Sequence, residues 1–163
     1  MSTLPSQVFY NFHNEPIPDA ESALQKLQPH YNMMIVTKGG LFEQERKINA
    51  SGFLPYFNMG YEVMVRKDAE EYCTKIFEKN DLLADETVMV GNSIKSDILP
   101  AIACGAYAIH IPYHTTWSQE VAKEPTDHPR YYKAEFISQV PEIVQKINDD
   151  LQNKLKSAHS LKL

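Results

Sequence analysis

The stretch TVMVGNSIKSDILPAIACG, from Thr87 to Gly105, decides how this chain is read. Its opening run lacks the polar–apolar alternation of a half-exposed strand, so it suits a strand covered on both faces. Gly91-Asn92-Ser93 breaks the run, a helical stretch continues to about Cys104, and Gly105 supplies the stop. A strand, a small polar turn and a helix make up the repeating unit of an open parallel sheet.

The same unit recurs on both sides. Upstream, MMIV at residues 33–36 ends in Thr37-Lys38-Gly39-Gly40, and a helix over residues 41–50 stops near Gly52. Residues 61–65 form a short strand, followed by a helix over residues 68–79. Downstream, Ala106 to Ile111 is a fourth strand. Asp19 reads as the N-cap of a first helix with Ala20, Ala23, Leu24 and Leu27 on one face. A last helix over residues 137–155 carries the stripe Ile137, Val140, Ile143, Val144, Ile147, Leu151 and Leu155. The expected fold class is therefore α/β, a Rossmann-like open parallel sheet flanked by helices. The two prolines of NEPIPDA mark residues 1–18 as a linker or the remnant of a preceding segment. Residues 19–156 form the α/β core, and residues 157–163 a polar, disordered tail.

Composition agrees with one globular domain. The chain has 163 residues, 43% hydrophobic and 23% charged, enough for a single core and inconsistent with wholesale disorder. A net charge of −5, with 16 basic residues scattered among 21 acidic ones, argues against nucleic-acid binding. No apolar run approaches ~18 residues, so no membrane span is expected, and MSTLPSQVFYNF lacks the pattern of a signal peptide. Cys73 and Cys104 lie far apart without CxxC spacing; they read as two buried thiols in a reducing, cytoplasmic setting. His110 and His114 are spaced HxxxH with Pro112 between them, which favours a structural role over zinc.

In such sheets, function gathers beyond the carboxyl ends of the strands. Thr37 with Lys38 and Gly39 follows the first apolar run, Lys67 follows YEVMV, and Asn92 with Asp97 follows TVMV. Singly, each has an ordinary explanation: a helix cap, a solvated lysine, a carboxylate complementing a helix dipole. Together they present a hydroxyl, a cation and a carboxylate to one crevice. A phosphoryl group bound beside Mg²⁺ needs those types.

On these residues the chain resembles the haloacid dehalogenase superfamily, mostly Mg²⁺-dependent phosphatases. The resemblance lies in IVTKGGLFEQERKINASG, VRKDAEEY, VMVGNSIKSDILPAIACG and AIHIPYHTTWSQE, and covers roughly residues 19–123. It implies that Thr37, Lys38, Gly39 and Lys67 bind phosphate, with Thr37 and Lys67 serving catalysis. Asp97 and Asn92 would face the metal, Asn92 standing where many members have an aspartate. The implied ligand is a small phosphorylated compound.

One part of the family pattern is missing. The superfamily's nucleophile is an aspartate in a DxDx[TV] motif on a strand lying between those that end at Thr37 and Asn92. The aspartates here are 19, 68, 81, 85, 97, 127, 149 and 150, and none fits that motif. Without it no aspartyl-phosphate forms. The reading is thus an incomplete core, the C-terminal part of a haloacid-dehalogenase-like hydrolase lacking its central nucleophile strand and its cap, inactive as it stands. The alternative is a non-catalytic phosphate-binding or interaction module. The open slot would be filled by Gln7 to Phe12, by a strand-donating partner or by self-association.

Overall fold

A computed structural model describes residues 3–6, 17–112 and 122–161. Six parallel strands form one sheet, ordered β3-β2-β1-β4-β5-β6. In chain order these are β1 (Thr3–Ser6), β2 (Asn32–Lys38), β3 (Tyr61–Met64), β4 (Val88–Gly91), β5 (Tyr107–His110) and β6 (Tyr131–Lys133). The helices are α1 (Ala20–Leu27), α2 (Leu41–Ser51), α3 (Ala69–Glu71, continuing as π-helical Tyr72–Glu78), α4 (Leu99–Ala103, preceded by π-helical Ile94–Ile98) and α5 (Val140–Ser160).

Period-2 alternation sends successive strand side chains to opposite faces, and both faces are covered. Met33, Val88, Val90, Tyr107 and Ile109 pack with Leu24 and Leu27 of α1 and Val140, Val144 and Ile147 of α5. Met34, Val36, Met89 and Ala108 pack on the other side with Tyr72 and Ile76 of α3 and Ala101 of α4.

The slot left open by the sequence reading is occupied. Thr3–Ser6 pairs in parallel with β2 over its whole length, and Ser6 pairs with Val90 of β4. The central strand thus comes from this chain, in the part read as linker or remnant, and no donated strand is needed at this slot. The cue was weak: TLPS is only four residues long, and Pro5 gives up a ladder hydrogen bond, which argues against a central strand. Gln7 to Phe12 lie outside the described residues.

Other boundaries shift for local reasons. Asp19 has φ 65° and makes no side-chain cap, so it is a left-handed turn residue rather than the expected N-cap. α5 continues through Ser160, beyond the expected tail boundary at Lys156, although residues 152–161 are all exposed. Its buried stripe is shorter than the pattern: Val140, Val144 and Ile147 are buried, but Leu155 is exposed. β6 was not legible, being three residues without an apolar run. Among the described residues no helix is long and apolar enough to cross a membrane.

The cysteines depart most from expectation. Cys73 in α3 and Cys104 after α4 form a disulfide with Cα atoms 5.7 Å apart, and both are half-buried. Packing α3 on α4 brings together two residues 31 apart in sequence, which spacing alone does not reveal.

Candidate functional site at the carboxyl ends of the strands

Thr37, Lys67 and Asp97 all lie at the carboxyl end of the sheet, beyond or within the ends of β2, β3 and β4. The structure brings two of them into direct contact. The Lys67 ammonium donates to Asp97 Oδ1, and both side chains are sealed from solvent, at 3% and 2% exposure. Asp97 Oδ2 accepts the backbone N–H of Ser93 at 3.0 Å. Ser93 caps the same helix, its hydroxyl accepting the Ser96 N–H at 3.0 Å. Gly91 makes room for this arrangement: a Cβ there would lie 2.6 Å from Asp97 Cγ.

Lys67 is held by a residue the sequence reading missed. Glu71 is 4% exposed, and its carboxylate accepts three consecutive backbone N–H groups, from Val65 (2.8 Å), Arg66 (2.6 Å) and Lys67 (2.8 Å). Lys75 completes the set at 2.8 Å. Burial pushes the Glu71 carboxyl upward, but the Lys75 and backbone hydrogen bonds outweigh it and hold its pKa at about 2. This anchorage accompanies a left-handed backbone at Lys67, φ 55°, which costs a non-glycine residue roughly 1–2 kcal/mol. The signal was present in sequence: Asp68 caps α3 by accepting the Glu71 N–H at 2.9 Å, placing a carboxylate at N3.

Thr37 is buried at the end of β2, paired with Val63 of β3. Its hydroxyl donates to Gln44 Oε1 of α2 at 2.7 Å. Gly39, at φ 146°, lets Gln44 approach, since a Cβ there would sit 2.7 Å from Gln44 Nε2. The glycine read as admitting phosphate thus admits a glutamine. Lys38 and Gly39 are exposed.

Tyr72 adds a second missed group. Its hydroxyl is fully buried and, among the described residues, meets no partner within hydrogen-bonding geometry. Burial, and then the nearby Asp97 charge, raise its pKa well above that of a free phenol. On the far side, His110 is buried with Nε2 3.2 Å from the Asn92 carbonyl and Nδ1 3.3 Å from the Tyr131 hydroxyl. Burial pushes its pKa down, against the Asn92 carbonyl and Glu124. Both ring nitrogens are engaged, tying the end of β5 to the Asn92 turn and to Tyr131 of β6. His114 lies outside the described residues.

These groups do not fit Mg²⁺ as they stand. Mg²⁺ takes near-octahedral oxygen ligands including one or two carboxylates. Here one Asp97 oxygen faces an ammonium and the other a backbone N–H. The described residues contain no cluster of three His, Cys, Asp or Glu able to hold a metal.

No family model matches the chain. It is similar to the putative HAD-hydrolase YfnB of Bacillus subtilis, with 28% identity over 86 residues, half of this chain and 37% of that protein. Among solved structures, a haloacid dehalogenase-like hydrolase from Xanthomonas campestris aligns with 31% identity and TM-score 0.76, covering 85% of this chain and 57% of that one. YfnB bound to magnesium aligns with TM-score 0.66 at 21% identity, over 80% of this chain and 57% of that one. An uncharacterised protein from Listeria monocytogenes shares the fold at 18% identity and TM-score 0.68, over 91% of this chain and 99% of that one. In sequence and fold the chain is thus similar to haloacid dehalogenase-like hydrolases. It spans 37% of its curated relative and 57% of the Xanthomonas structure.

Proposed function

We propose that this chain keeps the phosphate-recognition half of a haloacid dehalogenase-like site without its hydrolytic half. Its ligand is a small phosphorylated compound, held by the Thr37 hydroxyl and Lys67. One observation carries the reading: the central strand β1 and the sequence after it, through Asn14, contain no aspartate or glutamate. No carboxylate nucleophile is therefore available from that segment to form an acyl phosphate. Phosphate would replace Gln44 as the acceptor for Thr37 and share the Lys67 ammonium with Asp97. No step is assigned to Mg²⁺, because the Asp97 oxygens are already engaged.

A second reading is favoured by those same contacts. Thr37 and Lys67 already have internal partners, so the cluster would be a closed polar core in an interaction module. The test is a p-nitrophenyl phosphate assay with Mg²⁺, together with thermal shifts in inorganic phosphate. The expected result is no turnover, plus a phosphate-dependent rise in Tm that survives EDTA and is lost in Thr37→Val. Turnover abolished by Asp97→Asn would overturn the proposal. Absence of any phosphate shift would select the interaction module.

A further inference from the structure

The Cys73–Cys104 disulfide joins the helix that follows Lys67 to the helical stretch that carries Asp97. Cys73 lies two residues after Glu71, whose carboxylate anchors the backbone of residues 65–67, and directly after the fully buried Tyr72. Cys104 closes the helical stretch that begins at the Ser93 cap and carries Asp97. α3 packs on α4 at this seam, and Cys104 Sγ lies 3.1 Å from the Ala69 carbonyl oxygen. Both cysteines are half-buried, so an attacking thiolate has access to the bond. They are also the only two cysteines in the chain, which leaves no third thiol to reshuffle with.

We propose that this disulfide is a redox-operated clamp on the Lys67–Asp97 pair. Oxidised, it fixes the Glu71 helix against the Asp97 helix. Reduced, it lets the Lys67 loop move relative to Asp97. The reductant is a dithiol. One of its thiolates attacks a cysteine sulfur, breaking the protein S–S bond and forming a mixed disulfide; its second thiolate then displaces the protein thiol. Two electrons and two protons pass to Cys73 and Cys104, and the reductant leaves as its own disulfide. The Ala69 carbonyl is in place to accept the new Cys104 S–H, giving the reduced state a local partner. A disulfide oxidant such as glutathione disulfide reverses the step.

The device regulates the same residues as the proposed phosphate pocket. Its test reads backbone amides, so it fails or succeeds independently of phosphate binding. The full chain, purified without reductant, is alkylated and weighed before and after dithiothreitol. The expected result is no alkylated cysteine, then two. Hydrogen exchange is followed on the same two samples. The amides of residues 65–67 and 93–97 should exchange about tenfold faster after reduction, while those of Tyr107 and Ala108 in β5 stay unchanged. Cys73→Ser with Cys104→Ser should reproduce the fast exchange without reductant; where that variant does not fold, the wild-type comparison decides alone. Two free thiols that persist in glutathione disulfide, or an exchange change spread evenly over sheet and loop, would overturn the proposal.

Discussion

Two carboxylates, Glu71 and Asp97, are buried a short distance apart and are satisfied in different ways. Glu71 is neutralised mostly by backbone: three N–H groups from one loop, with the partly exposed Lys75 as its cation among the described residues. Asp97, among the described residues, takes one backbone N–H and the sealed Lys67 ammonium. Backbone donors cannot leave, whereas a side-chain cation can be given to a ligand. The difference separates a residue that builds the loop from one whose charge balance a bound anion would alter.

The largest test of this contrast removes the cation. Lys67→Ala leaves Asp97 buried and unpaired, and should cost about 3–5 kcal/mol in urea unfolding. Replacing both partners, Lys67→Met with Asp97→Leu, should recover most of that loss, because no buried charge then remains. A single-variant cost below about 1 kcal/mol would mean that water reaches Asp97.

Acid titration sharpens the Glu71 side. Its pKa is about 2 in the fold, against 4.5 for the ordinary carboxyl. The unfolded chain therefore binds the proton first as pH falls. The stability contributed by Glu71 is complete above pH 4.5 and disappears between 4.5 and 2. The shift corresponds to about 3 kcal/mol. Glu71→Gln should flatten the stability–pH curve across that window; an unchanged slope would refute the assignment.

The smallest effect is at the start of the same helix. Asp68→Ala removes the cap on the Glu71 N–H and should cost about 1 kcal/mol, measured by thermal unfolding. The Lys67–Asp97 pair should survive it, because Glu71 keeps its three loop donors.

Much of the architecture was legible from local pattern. MMIV and TVMV announced doubly covered strands, and Thr37, Lys67 and Asp97 fell where strand ends meet helix starts. β1 escaped because a four-residue segment with a proline does not look like a central strand, and only its neighbours β2 and β4 make it one. Glu71 escaped because the Asp68-x-x-Glu71 capping pattern places its carboxylate at N3 without revealing that the N–H groups of residues 65–67 converge on it.

The order of apolar runs, turns and chemical groups along the chain determined the α/β class, the strand ends that matter and the absence of the family's DxDx[TV] motif. These are properties of residue types at short range, where periodicity and turn chemistry act. Tertiary structure alone decided that Thr3–Ser6 completes the sheet, that Lys67 faces Asp97, that Gln44 takes the Thr37 hydroxyl, and that two distant cysteines meet. Each of these depends on which elements pack together, a choice made by burying both faces of the sheet at once.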